Sequence, residues 1–319
     1  MRLYTSQRRI EGVELAPVDR PLLPAIQKDP TIFQKLEHAT CLYLWPNDVD
    51  TLKVAQVALE NLPKVDNFLL NCSLLKNEPE VSGPMEDSST TPGFIFRTIF
   101  KHLSPFEKCT PIPLRDFQIT HYDLHNASIS ILKVIDFTAL QSLILDECAG
   151  AANCFAEMGK SYARPANLKR LCWIETNTDR HAVKTLEEFL ESFKGLQILH
   201  VDIAPHAALL KPLVIKNHGD SLLSLFVRYE AQGVTGTKYT SSQLDEICER
   251  CQKLRQLSLP FQGLYAHAGW PYSNSEDIQA QIVRPRNALS TLLTGRDRLQ
   301  PGSFRNLKPS VSKIGQPQT

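Results

Sequence analysis

The chain has 319 residues, with 35 Lys+Arg against 34 Asp+Glu and a formal net charge of +1. That balance gives no charge-driven reason to expect nucleic acid or a membrane surface as partner, and no run of roughly 18 apolar residues is present to span a bilayer. The opening MRLYTSQRRIEG lacks the apolar core of a signal peptide, and the eight Cys are scattered in mostly apolar contexts, so the expectation is an intracellular protein, cytoplasmic or nuclear, with reduced thiols. The triplets Asn71-Cys-Ser73 and Asn126-Ala-Ser128 then read as chance glycosylation matches.

Residues 1–37 show no repeated phrase and are broken by Pro17, Pro21, Pro24 and Pro30. Within them 31–37 (TIFQKLE) suits a short helix, and the segment is expected to cap the first edge strand of the repeats. From Ala39 on, one phrase recurs, with apolar residues at its first, fourth and sixth positions. It reads Ala39-Thr-Cys-Leu42-Tyr-Leu44, then Val65-Asp-Asn-Phe68-Leu-Leu70, Leu114-Arg-Asp-Phe117-Gln-Ile119 and Leu140-Gln-Ser-Leu143-Ile-Leu145. It continues as Leu168-Lys-Arg-Leu171-Cys-Trp173, Leu196-Gln-Ile-Leu199-His-Val201, Leu222-Leu-Ser-Leu225-Phe-Val227 and Leu254-Arg-Gln-Leu257-Ser-Leu259. The start-to-start intervals are 26, 49, 26, 28, 28, 26 and 32 residues. Alternation over the last three residues is the period-2 signal of a short half-buried strand, so eight strands are predicted.

Helical patterns lie between the phrases. The first is 50–61, with Asp50 as N-cap and Leu52, Ala55, Leu59 and Leu62 on one side. The 49-residue interval holds 76–93 (KNEPEVSGPMEDSSTTPG), too poor in large apolar residues to order itself, hence a flexible loop insertion. A helix-like piece, 94–103, returns the chain to the next strand. In 179–193 the residues Ala182, Leu186, Phe189, Leu190 and Phe193 share a face, leaving Lys184, Glu187, Glu188 and Glu191 for water. Ser241 or Ser242 caps a last helix bearing Leu244, Ile247, Cys248 and Cys251. After Gln262 the phrase stops, and 263–319, with seven Lys/Arg against Glu276, Asp277 and Asp297, is expected to be an irregular basic tail.

A strand-then-helix unit repeated every 26–32 residues cannot bury its apolar face alone and must stack on its neighbours. Most of these intervals fall near the 20–29 residue period of leucine-rich repeats. The predicted architecture is α/β: a leucine-rich-repeat solenoid (horseshoe) over 38–262, with a curved parallel sheet of about eight strands and helices on the convex side. The unit LDEICERCQKLRQLSL at 244–259 resembles the cysteine-containing repeats of F-box proteins, with Cys251, Leu254, Leu257 and Leu259 at the matching places and Cys148 where such repeats often place Asn or Cys. The uneven periods, the insertion and phrases such as KNHGDSLLSL are similar to fungal F-box and leucine-rich-repeat proteins, a resemblance covering about two-thirds of the chain, roughly 38–262. It implies a substrate receptor that meets a ubiquitin-ligase adaptor. An F-box opens with a Leu-Pro-x-Glu-(Ile/Leu)-like phrase; the nearest stretch here, Leu22-Leu-Pro24-Ala-Ile26, lacks the acid, so no F-box is expected.

Chemistry-bearing motifs are sparse. Cys248-x-x-Cys251 is half of a zinc pattern without a second pair, and at i, i+3 on a helix it suits packing. Gly233-Val-Thr-Gly236-Thr-Lys238 sits where a phosphate loop would, but the required Gly-Lys-Ser/Thr order is absent, so a turn is expected. His181, His200, His206 and His218 have no nucleophile in frame and are expected mostly on the surface or in loops. No catalytic residue, cofactor or metal site is predicted, and the chain is expected not to be an enzyme.

Functional weight falls on the outward strand positions. With Leu143, Leu145, Leu171, Trp173, Leu199 and Val201 facing the core, the partner-binding candidates are Tyr43, Trp45, Ile144, Asp146, Ile174, His200, Asp202, Phe226 and Arg228, with Leu69, Asn71, Gln118, Thr120, Cys172, Ser258 and Pro260 on the same face. Aromatic and Arg anchors are typical of protein interfaces. Asp146 and Asp202, with Glu147 and Glu175 one residue further along their strands, are expected to form an exposed acidic centre. The expected function is protein–protein interaction on this concave face, with a partner segment that is basic and partly apolar.

Overall fold

The computed structural model describes residues 2–6, 9–15, 26, 29–46, 48–62, 64–73, 94–100, 110–125, 131, 133–160, 164–176, 181–203, 209–229 and 238–260. The chain divides into two units, Met1–Val283 and Arg284–Thr319, and every described residue belongs to the first. The proposed loop insertion at 76–93, the end of the 94–103 helix, most of the 233–238 turn, Asn126-Ala-Ser128, His206 and the 263–319 tail lie outside the described residues.

Ten strands form one open sheet in sequence order. They are β1 (Arg2–Ser6), β2 (Arg9–Leu15), β3 (Cys41–Leu44), β4 (Asn67–Asn71), β5 (Asp116–Thr120), β6 (Ser142–Asp146), β7 (Arg170–Glu175), β8 (Ile198–Ile203), β9 (Ser224–Tyr229) and β10 (Gln256–Ser258). From β2 to β10 all pairings are parallel; β1 runs antiparallel to β2. Six helices are described: α1 (Val49–Asn61), α2 (Phe94–Ile99), α3 (Ala151–Lys160), α4 (Ala182–Glu191), α5 (Pro212–Lys216) and α6 (Ser241–Arg250). Parallel strands require a crossover between them, and each of the six described helices lies in one.

All eight predicted strands are present, and each begins two residues after the first apolar position of its phrase. The leading residue packs beneath the turn that delivers the strand: Leu140, Leu168, Leu196 and Leu222 are fully buried outside any strand. The fourth and sixth positions make two ladders across the sheet. One runs Val13, Leu42, Phe68, Phe117, Leu143, Leu171, Leu199, Leu225, Leu257. The other runs Leu15, Leu44, Leu70, Ile119, Leu145, Trp173, Val201, Val227. Every member of both is buried.

The helices dock on these ladders through rings. Phe96 of α2 meets Phe117 edge-on with centroids 6.5 Å apart, and Phe155 of α3 meets Trp173 at 5.3 Å. A file of rings then links the helices, from Phe155 stacked on Phe189 of α4 at 5.3 Å to the tilted contacts of Phe193 at 5.2 Å and the His218 imidazole at 5.1 Å. Aromatic pairs in such geometries add about 0.5–1.5 kcal/mol beyond the area they bury.

Several local expectations are corrected. The stretch 1–37, predicted to lack the repeat, contributes β1 and β2. Its segment Ile10-Glu-Gly-Val13-Glu-Leu15 follows the same apolar spacing with β-branched residues in place of Leu, and it covers the β3 edge by pairing with it. The predicted 31–37 helix is only a 3-10 turn at Pro30–Ile32. The α1 cap is Asp48, whose carboxylate accepts from Thr51 N–H and Thr51 Oγ1–H at 2.7 Å each; Asp50 lies in the first turn. Thr240, not Ser241 or Ser242, caps α6 through a capping box: Thr240 Oγ1 accepts from Gln243 N–H at 3.3 Å and Gln243 Oε1 from Thr240 N–H at 2.9 Å.

Two polar residues expected in water are buried at repeat junctions. Glu187 of α4, 5% exposed, accepts from the backbone N–H of Lys211 at 2.8 Å and from its Nζ at 2.6 Å. It thereby satisfies the start of α5, whose own N-cap Lys211 has no capping oxygen. His218, 1% exposed, accepts from Leu196 N–H at Nδ1 (3.4 Å) and donates from Nε2 to Leu190 carbonyl at 3.1 Å, closing the end of α4. Burial holds its pKa down at about 4, so it is a neutral imidazole.

Candidate interaction surface on the outer sheet face

Because side chains alternate along a strand, the residues between the ladder positions form rows on the opposite face. The middle row runs Glu14, Tyr43, Leu69, Gln118, Ile144, Cys172, His200, Phe226, Ser258 in register. The row toward the strand C-terminal ends runs Asn71, Thr120, Asp146, Ile174, Asp202, Arg228. Tyr43, Ile144, His200 and Phe226 therefore share one row, and Asp146, Ile174, Asp202 and Arg228 share the next. Trp45 directly follows β3, its N–H donating to Leu15 carbonyl at 2.9 Å. All nine are half-buried.

At ~4.8 Å per strand, the span from Tyr43 to Phe226 crosses roughly 29 Å. Along it the side chains lean on one another. His200 and Phe226 meet edge-to-face with centroids 4.2 Å apart. Burial, then the nearby Arg170 charge, depresses the His200 pKa, and its Nε2 is buried without a hydrogen-bond partner among the described residues. Cys172, the register neighbour of His200 on β7, is buried, and burial pushes its thiol up to about 11. A protonated thiol is a poor nucleophile.

The acidic centre differs from its prediction. Glu175 is not on this face: it shares the parity of Leu171 and Trp173, so it points with them toward the core. It is 7% exposed and accepts from Trp173 Nε1–H at 3.0 Å. Burial, only partly offset by that hydrogen bond, raises its pKa to about 7. Glu147 lies just past β6 in a left-handed backbone conformation (φ 50°), where strand alternation no longer sets direction. Its Oε2 accepts from Thr176 Oγ1–H at 2.9 Å and Thr176 N–H at 3.4 Å. Asp202 faces its register partner Arg228 across β8 and β9, 3.9 Å between charged atoms. Asp146 is half-buried, and burial raises its carboxyl, with Glu147 adding to the rise and the His121 charge opposing it.

A third row was missed by the sequence reading. It lies toward the strand N-terminal ends and includes Asn67, Asp116, Ser142, Arg170, Ile198 and Ser224. Ile198 is among the most exposed large apolar side chains described, at 36%. The same alternation, carried one step toward each phrase's start, would have found it.

Elsewhere, a cleft between α4, α5 and α6 is lined by Glu191, Leu213, Lys216, Asn217 and Arg250, and shares no residue with the outer rows. Among the described residues no group of three or more His, Cys, Asp or Glu is placed to hold a metal ion, and no helix is long and apolar enough to cross a membrane. Comparison with protein-family models gave no match, and neither did comparison with the curated proteins.

Proposed function

We propose that the chain is a leucine-rich-repeat protein of the horseshoe type, and that it is a non-catalytic interaction module whose protein partner docks on the outer sheet face. The observation that carries this is the middle row. Tyr43, Leu69, Ile144, Cys172, His200 and Phe226 stand on six of the seven strands from β3 to β9, interrupted by Gln118 on β5, and the described helix–strand ring contacts fall on the other face. An apolar strip rimmed by charged residues is the usual make-up of an interface. Cys172 is the register neighbour of His200, and burial keeps the thiol protonated. The fitting partner segment is partly apolar and basic.

A photo-crosslinking amino acid placed at Ile144 or Phe226, and as control at Lys184 on α4, tests the reading. Crosslinks to one protein from the two sheet positions and none from Lys184 are expected. Equal crosslinking from all three sites overturns it.

A second reading, substrate receptor of a cullin-type ubiquitin ligase with a divergent adaptor-binding segment, is favoured by α6 and β10. Cys251 is buried at the α6 C-cap and Leu257 in the strand after it, as in the F-box repeat pattern the stretch resembles. Co-purification with adaptor and cullin subunits separates the readings. Residues 1–37 contain β1 and β2, so a deletion there has to be accompanied by a thermal melt.

A further inference from the structure

Four acids were expected to act together at the C-terminal ends of β6 to β8, but three of them have partners within the chain. Asp202 faces Arg228, Glu175 is bound to Trp173, and Glu147 to Thr176. The fourth, Asp146, makes no side-chain hydrogen bond or ion pair among the described residues; its backbone carbonyl accepts from His121 N–H at 2.8 Å and from Cys148 Sγ–H at 3.4 Å. Its side chain is half-buried. Ile174 is its register neighbour on β7 and Thr120 on β5, while Ile144 lies two residues back on the same face of β6. The outward arginines stand apart from it, and the nearby charge that favours its carboxylate is that of His121, just past β5. Arg228 is three strands away in the same row, roughly 14 Å at strand spacing, and Arg170 lies at the far end of β7, roughly 13 Å off at ~3.3 Å per residue.

We infer that Asp146 is the anchor for a basic side chain of the partner, its ammonium or guanidinium meeting the carboxylate while its aliphatic stem lies on Ile144 and Ile174. This rests on the outer face being the docking surface. A partly desolvated carboxylate with no hydrogen bond or ion pair of its own is unfavourable, and a cation arriving with its own apolar stem relieves it without a further polar group to bury. The flanking isoleucines select Lys or Arg on an extended, otherwise apolar segment. A carboxylate at the same place is repelled.

The probe is a set of three capped tripeptides, Leu-Arg-Leu, Leu-Gln-Leu and Leu-Glu-Leu, titrated to millimolar concentration into the full chain and followed by amide NMR shifts at low and high salt. Saturable shifts at Ile144, Asp146 and Ile174 are expected for the Arg peptide. The Gln peptide should bind on the order of 2- to 5-fold more weakly, with the gap shrinking in salt, the scale of one partly exposed charge pair. Asp146→Asn should erase the difference between the Arg and Gln peptides with an unchanged melting temperature, and Asp202→Asn should preserve it. If Asp146→Asn keeps the Arg preference, or Asp202→Asn removes it, the anchor is misassigned, while shifts retained at Ile144 and Phe226 would leave the face itself standing. If no peptide gives saturable shifts on the outer rows, the anchor and the docking face both fall.

Discussion

The two faces of the same strands obey different rules. On the core face, from β3 to β10, the fourth phrase position is held by Leu42, Phe68, Phe117, Leu143, Leu171, Leu199, Leu225 and Leu257, two residue types in eight places. One residue along on the outer face, Tyr43, Leu69, Gln118, Ile144, Cys172, His200, Phe226 and Ser258 are eight different types in eight places. Geometry is the same for both rows, since they ride on one set of parallel pairings. The core face packs against helices at interior density, which fixes volume and polarity at every step. No described helix–strand ring contact falls on the outer face, and there the residue type changes from strand to strand.

The largest effects should come from the ladders. Leu143→Ala or Leu199→Ala is expected to cost about 2–5 kcal/mol by leaving a cavity in the shared core, measured by denaturant unfolding. Ile144→Ala and His200→Ala, the outward neighbours, should cost well under half as much. Equal losses from both rows would break the comparison.

The next effect is set by two buried titratable groups outside the outer face, and they pull in opposite directions. Glu175 has a folded pKa of about 7 against 4.5 for the free acid. Between those values the native state binds more protons than the unfolded state, so its contribution makes stability fall as pH rises from 4.5 to 7. His218 has a folded pKa of about 4 against 6.5. There the unfolded state binds more protons, so stability rises from pH 4 to 6.5. Each is worth on the order of 3 kcal/mol at full extent. Over their shared range the two nearly cancel, and urea midpoints should vary little with pH. Glu175→Gln, which keeps an acceptor for Trp173, should uncover the rising His218 slope and be the more stable protein above pH 7. A Glu175→Gln profile parallel to that of the parent would show that the Glu175 carboxyl is not held protonated by burial.

The smallest effects sharpen the outer face. Asp202→Asn removes an ion pair of 3.9 Å between partly exposed groups, and should change stability by about 0.5 kcal/mol or less, less still in high salt. Asp146→Ala should be close to neutral in a thermal melt, because no intramolecular bond is lost. A drop of 2 kcal/mol or more, about the scale of a lost buried hydrogen bond, would mean that Asp146 supports the fold.

Much of the sheet was legible because its signal is periodic. A Leu or Phe at a fixed step states both strand and inward direction, and the eight predicted strands are found in register. β2 was overlooked although Ile10, Val13 and Leu15 stand at the first, fourth and sixth positions, because the Pro-broken stretch after it hides the interval to Ala39. The weaker helices had less to read: α5 is five residues long and α3 includes Asn153 and Gly159. At the site, alternation placed Ile144, Asp146, Ile174, His200, Asp202, Phe226 and Arg228 correctly in rows. It failed for Glu147 and Glu175, where the strand ends or parity was misread. Burial of Glu187 and His218 was beyond local pattern, since their partners lie 24 and 28 residues away.

Every strand after the first pairs with the one before it in sequence. The order of assembly can therefore follow the order of translation. A nascent chain released as far as β6 already has β2 to β5 to build on, and each later unit adds to an existing edge instead of waiting for a distant partner. The exposed edge of the growing sheet moves forward with the ribosome, and it is the most recently made strand that stands open to unwanted pairing at any moment.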